Sequence, residues 1–488
     1  MSSPAVRRSR LVAGHMMSTR PNKTSEDLVL FESKSAVRVY SLNRPAKHNA
    51  LNAEMLDLLR NKIMEWNKSD LCGTIVGRGV GKSFCAGGDV LTVVENAKAS
   101  SRQRNHQAIQ FFKDEFDLDY LLASMNKPYV VVMHGNTMGG GVGLSLPAQF
   151  RIATETTVYA MPETKIGYYP DVGASYYLSR LDGELGTFIG LTGDSIRGRS
   201  VFEAGIATHY IPEARLPALL ERLSTLENPT LEVVNNAIEE LSLEYQADET
   251  TPTLASEVRI AIDSVFRHNT VEEIFADLET NTSHASPVVQ EWAKKTLAAL
   301  NERSPTSLTV SLEAIRRGKN LKLEEALNME LQLSFLFCRN RSPDFTTGVQ
   351  AVLGKDRKKG RPAWKPSTIA EVDREKVIAD FFHVEKNFPT VKVPMEDISS
   401  TPRNPMRYAL PTEEEIRAVV AGSATSGGST SVTLPELVAR FQERTNGKYG
   451  VKEKVEEVVA RQCQVVDNND GNFVWLKWRP KKLDEVSA

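Results

Sequence analysis

Two neighbouring segments pair yielding backbone with carboxylates. The first, HGNTMGGGVG at 134–143, is rich in glycine and follows the apolar run at 129–133. It reads as a buried strand that opens into a glycine turn and a helix. Glycine lets backbone approach a ligand closely, and amides at a helix start point outward, so such a turn can hold a developing negative charge. The second, MPETKIGYYPDVG at 161–173, sets Glu163 and Asp171 among Met161, Ile166, Tyr168, Tyr169 and Val172. Apolar surroundings raise a carboxyl pKa where they bury it. An oxyanion turn beside two acids points to acyl chemistry. The neutral reading of each part is a tight turn, a helix-start acid (Glu163) and a turn aspartate (Asp171).

FCAGGD at 84–89, HGNTMGGGVG, MPETKIG and YPDVGASYYL, in this order, resemble the enoyl-CoA hydratase/isomerase (crotonase) superfamily, and within it the 3-hydroxyisobutyryl-CoA hydrolase branch. The resemblance runs over about 28–383 and includes RSPTSLTVSLEAI at 303–315 and DFTTGVQAVLGKD at 344–356. Each block alone is weak, and their number and order carry the match.

The resemblance implies a division of labour. The amides of Gly88 and Gly140 are the two donors for the thioester oxyanion. Glu163 is the catalytic glutamate, as a nucleophile that forms a mixed anhydride or as a general base on water. Asp171 binds the substrate hydroxyl and protonates or orients at the thioester. Glu115, in FFKDEFDLDY, contacts substrate, although a charged helical residue is more often simply solvated. Lys47 and Ala86 lie near the CoA nucleotide, Lys47 in a loop whose plain reading is a polar connection. No metal or other cofactor is expected. His134 and Cys85 read as packing residues. Hydratases carry a second glutamate where this chain has Gly143, and usually glycine where it has Asp171. Without that second acid, hydration lacks one proton-transfer partner, which favours hydrolysis. The rivals are an enoyl-CoA hydratase or isomerase, and a structural component of the mitochondrial small ribosomal subunit that retains the fold.

Composition narrows the classes further. Lys and Arg total 60 against 62 acids, so no strongly basic balance suggests direct nucleic-acid binding. No run approaches the roughly 20 apolar residues of a membrane span. Cys72, Cys85, Cys338 and Cys463 form no CxxC pair, which argues against a zinc site or disulfide framework and fits a reducing compartment. Before Glu26 the chain has no acid, while Arg7, Arg8, Arg10, Arg20 and Lys23 alternate with Ser and small apolar residues. That is the composition of a mitochondrial transit peptide, against a merely disordered basic tail. With the resemblance it points to the mitochondrial matrix and valine breakdown.

The elements that must position these residues alternate. A strand over 35–42 precedes a helix capped by Asn52, in which Met55, Leu59, Ile63 and Trp66 recur at helical spacing. Strands at 73–77 and 129–133 each lead to a glycine turn. This is an α/β pattern, and the resemblance makes it a ββα spiral. From about 213 to 340 the chain reads as helical, and the proline-punctuated basic segment 354–366 as a surface connection. Three parts follow: a targeting or disordered tail at 1–27, a crotonase-like acyl-CoA hydrolase domain at 28–383, and a C-terminal extension at 384–488. GSATSGGSTS at 422–431 is a flexible linker within it. Helices at 433–441 and 451–463 and a strand from DNNDGNFVWLKW predict a small α+β appendage that folds separately, or a docked lid. Such extensions resemble those of fungal members, some of whose relatives serve in the mitochondrial small ribosomal subunit. Association with that ribosome through the extension is the partner this implies.

Overall fold

Apolar strands alternating with helices wind the chain between two sheets. The structure is a computed structural model and describes residues 28–243, 254–354, 360–383, 388–392, 404–423, 431–467 and 474–479. The 1–27 tail and most of the linker, 424–430, lie outside these residues. β1 (Val29–Lys34) and β2 (Val37–Leu42) form a hairpin, so the strand expected at 35–42 is shorter, and Ser35 turns the chain with φ of 50°. Asn52 then caps the helix Ala53–Lys68 by accepting from the Met55 amide, and Met55, Leu59, Ile63 and Trp66 are buried along one face.

From β3 (Thr74–Gly79) as far as β7 (Phe150–Ala153), successive strands change sheet. β4 (Ser83–Cys85) and β6 (Asn136–Met138) belong to one, β5 (Tyr129–Val132) and β7 (Phe150–Ala153) to the other. β8 (Val158–Ala160) and β9 (Ile196–Arg197) finish the four-stranded sheet, in the order β4-β6-β8-β9. β10 (His209–Tyr210) closes the six-stranded sheet, in the order β1-β2-β3-β5-β7-β10. The parallel pairings β3·β5, β5·β7, β4·β6 and β6·β8 advance together, so each turn of chain adds a strand to both sheets. The strand expected to run from 129 straight into the glycine turn is interrupted by β6. Gly135 makes the change of sheet: its φ is 57°, and a Cβ there would lie 1.8 Å from the Lys82 carbonyl oxygen.

Helices from Leu216–Ser224 to Leu323–Cys338 follow, as the sequence pattern predicts. The 354–366 connection is less superficial than expected. Trp364 is buried, and its indole donates to the Glu302 carbonyl at 3.0 Å. A tryptophan whose N–H finds a partner packs rather than remaining in solvent.

The extension docks on the core, one of the two arrangements left open by the sequence. Arg151, fully buried at the end of the six-stranded sheet, donates to the Pro405 carbonyl at 2.7 Å, and Tyr408 stacks on Phe150 at 4.9 Å. The helix Glu413–Val420 starts with its Glu413 amide on Asp182 at 3.0 Å, and Lys454 of the helix Val451–Gln462 pairs with the same aspartate at 2.7 Å. Arg461 meets Glu413, which also pairs with Arg259 at 2.8 Å, and lies 3.7 Å from Asp263. The helix Leu434–Arg444, β11 (Cys463–Asp467) and β12 (Val474–Trp478) complete the module, the last two antiparallel. Charges removed from water on both sides of a contact tie the two parts together, because separating them exposes or orphans ions.

Arg461→Met should therefore destabilise the chain by about 3 kcal/mol, the cost of leaving buried acids short of a partner. Removing the exposed pair Glu291–Lys295 should change stability by less than about 1 kcal/mol. Denaturant unfolding measures both, and truncation after 383 should lower the midpoint as Arg461→Met does.

Candidate active site

The two glycine turns meet at one point. β4 leads into Gly87, whose φ of 114° suits glycine, and Leu51 bridges Gly88 through the Leu51 amide to Gly87 oxygen (2.8 Å) and the Asp89 amide to Leu51 oxygen (2.8 Å). That pairing leaves the Gly88 amide directed away from Leu51. A Cβ on Gly87 would stand 3.9 Å from the Gly140 amide nitrogen, so the turns face each other in close contact. Gly140 opens the short helix Gly140–Ser145, and its amide belongs to the first turn, which has no intrahelical acceptor. The two turns thus lie side by side, with the Gly140 amide unclaimed by its own helix.

Four carboxyls surround that point. A Cβ on Gly140 would lie 2.3 Å from Glu115 Oε1, one on Gly139 3.0 Å from Glu163 Oε1, and one on Gly143 2.8 Å from an Asp119 oxygen. Asp171 is their electrostatic neighbour, with Glu115 and Glu163 both in its field. Exposures are 2% for Glu115, 2% for Asp119, 6% for Glu163 and 5% for Asp171. Glu115 is therefore a buried acid beside the Gly140 turn and not a solvated helix acid. Burial first, then mutual repulsion, raises all four: Glu115 to about 8, and Asp119, Glu163 and Asp171 well above the ordinary carboxyl range.

The acids are held by packing from a distant helix. Glu163 begins the 3-10 turn Glu163–Ile166, and Gly167 reverses the chain with φ of 70°. Glu330, from the helix Leu323–Cys338, then grips the PDVG turn: it accepts from the Gly173 amide at 2.6 Å and from the Ser175 amide at 2.9 Å. Tyr168 and Tyr169 both hydrogen-bond Ser334 at 2.8 Å, and Tyr168 stacks on Phe345 at 4.6 Å. Between Asp171 and Gly173, Val172 is forced to φ of 56°, a region that a β-branched residue enters only when its surroundings impose it.

Other expected residues sort as follows. Ala86 donates to the His48 carbonyl at 2.9 Å, so the 43–51 loop borders the oxyanion turn. Lys47 stands exposed in that loop, at the end of the 3-10 turn Pro45–Lys47. Cys85 is buried and its thiol is pushed up to about 12, and His134 faces the Gly81 carbonyl at 3.2 Å, so both pack as expected. Asp119 and Glu330 escaped the sequence reading. Asp119 sits four residues after Glu115, on the same helical face, and that spacing was the available signal. Glu330 offered none, because its partners lie more than 150 residues away. Among the described residues no group of three or more His, Cys, Asp or Glu side chains is arranged to hold a metal ion.

Comparison with known proteins agrees with this geometry. The enoyl-CoA hydratase/isomerase family model matches residues 37–382. Small ribosomal subunit protein mS47 of Neurospora crassa is 38% identical over 89% of this chain and 85% of its own length. The human mitochondrial 3-hydroxyisobutyryl-CoA hydrolase is 39% identical over 76% of this chain and 92% of its own. Among solved structures, a carnitinyl-CoA dehydratase from Mycobacterium thermoresistibile aligns over 76% of this chain and all of its own, with a TM-score of 0.65 and 31% identity. With the family model covering most of the spiral core and the identities this high, the chain belongs to the enoyl-CoA hydratase/isomerase family, in its 3-hydroxyisobutyryl-CoA hydrolase branch.

Proposed function

We propose that the chain hydrolyses 3-hydroxyisobutyryl-CoA, and 3-hydroxypropionyl-CoA with it, to the free hydroxy acid and CoA, as in valine breakdown in the mitochondrial matrix. The observation that carries this is the state of position 143. A Cβ on Gly143 would lie 2.7 Å from Val172 Cβ and 2.8 Å from Asp119, so the hydratases' second glutamate has no room there. Addition of water across a double bond then lacks one proton-transfer group, whereas thioester cleavage needs only what remains.

In this reading the amides of Gly88 and Gly140 receive the thioester oxygen as charge develops on it. Glu163 and Asp171 repel each other in a dry site, so the pair holds one proton in preference to none. The ionised member, Glu163, attacks the carbonyl carbon or deprotonates the attacking water. The protonated member, Asp171, hands its proton to the departing CoA sulfur. Glu115 borders the acyl position, and Lys47 and Ala86 border the CoA nucleotide.

A second reading rests on coverage. The ribosomal relative matches 89% of the chain, against 76% for the human hydrolase, so its likeness reaches into the extension. Association with a mitochondrial small ribosomal subunit is compatible with the hydrolase reading. Co-sedimentation of the full chain with small subunits, lost on truncation after 383, tests it.

Glu163→Gln keeps the shape but removes nucleophile and base, so thiol release from 3-hydroxyisobutyryl-CoA should fall at least about 100-fold with binding retained. Near-normal turnover would remove Glu163 from its role, and hydration of crotonyl-CoA at a comparable rate would favour the hydratase reading.

The buried acids also set a pH dependence of stability. Burial lifts Glu115 to about 8 in the fold from its ordinary 4.5 in the unfolded chain, so the unfolded chain binds fewer protons between these values. Stability should therefore be full below about pH 4.5 as far as this group is concerned, and decline as pH rises toward 8. Glu115→Gln should flatten that decline, as read from thermal midpoints across the same range.

A further inference from the structure

The acids of the helix Arg102–Ser124 are not provided for alike. Asp114 accepts from Gln110 at 2.8 Å, and Asp117 is paired with Lys113 at 2.6 Å and with the Lys392 amide at 2.8 Å. Asp119, as buried as Asp117 and more so than Asp114, has no hydrogen-bond partner on either carboxyl oxygen. An unmet buried carboxyl is costly, and in a folded protein such a group calls for an explanation. Its position supplies one. Both oxygens lie over the bare backbone of Gly143, 2.8 and 2.9 Å from where a Cβ would be, beside the Val172 side chain and hence the Asp171 turn.

The groups around it leave few internal alternatives. Glu115, Asp171 and Glu330 are the charges that act on it, all acids. Tyr129, whose ring lies in its field, spends its hydroxyl hydrogen on the Leu144 carbonyl at 2.8 Å and pairs with Tyr40 at 2.6 Å. Glu330 is already saturated by Gly173 and Ser175.

We propose that Asp119 is a second hydroxyl-binding carboxyl of the acyl site, bracketing the hydroxyl of a β-hydroxyacyl thioester together with Asp171. This rests on the acyl-thioester reading of the site and deepens it by naming what selects the acyl chain. A hydroxyl donates once and accepts twice, so it complements one carboxylic acid and one carboxylate side by side. Mutual repulsion and burial favour that mixed state over two anions. A plain acyl chain of the same shape presents a C–H bond instead and leaves both carboxyls unmet, which a site built on hydrogen bonds rejects strongly.

The test is calorimetric binding of non-hydrolysable thioether analogues of 3-hydroxyisobutyryl-CoA and isobutyryl-CoA to the full chain. The wild type should favour the hydroxylated analogue, and Asp119→Leu should weaken that analogue at least about tenfold more than the plain one. Asp119→Ala carries the same expectation should leucine not fit, and Asp119→Asn, which can still donate and accept, should restore most of the preference. Thermal unfolding establishes that each variant is folded. A preference that survives within about twofold in the leucine or alanine variant, or an equal loss for both analogues, overturns the proposal. Binding does not depend on turnover, so absence of thiol release by the wild type would count against the hydrolase reading alone.

Discussion

Carboxyls buried without a cation are the constraint around which this fold is arranged. Glu115, Asp119, Glu163 and Asp171 are buried within one another's fields, and all are driven toward their protonated forms by desolvation. A site of this kind cannot rest on ion pairs. It has to be held by shape, by backbone hydrogen bonds and by residues that do not themselves enter the chemistry. Glu330 and Ser334 serve that purpose from the helix Leu323–Cys338, fastening Gly173, Ser175, Tyr168 and Tyr169 and so the spacing between Glu163 and Asp171. The positive φ of Val172 is the visible sign that the turn is imposed from outside.

The glycines are the geometric counterpart of these acids. At 140 and 143 any side chain would occupy the volume taken by Glu115 or Asp119. Bare backbone at these points lets the two glycine turns approach the acids, and at 143 the packing of Asp119 and Val172 leaves no room for a side chain.

The extension follows the opposite electrostatic logic. Arg461, Lys454 and Lys448 each meet acids of the core, at Asp263, Asp182 and Glu239, so the charges buried there are matched. Unmatched acids gather beside the two glycine turns, and matched ions mark the seam between core and extension.

Local chemistry was enough to reveal much of this in the sequence. Asn52 announced a cap, the 3.6 spacing of Met55, Leu59, Ile63 and Trp66 a buried helix face, and the glycine blocks two turns, because each depends on neighbours only a few residues away. Through their family resemblance the same blocks also suggested Gly88, Gly140, Glu163 and Asp171 as candidates. Tertiary structure alone decided that Glu115 is buried, that Asp119 lies over Gly143, and that β6 intervenes before the glycine turn. It alone supplied Glu330 as the clamp and docked the extension through Arg461 and Lys454. These outcomes rest on contacts between residues far apart in the chain and on removal of charge from water, and neither is written in local spacing.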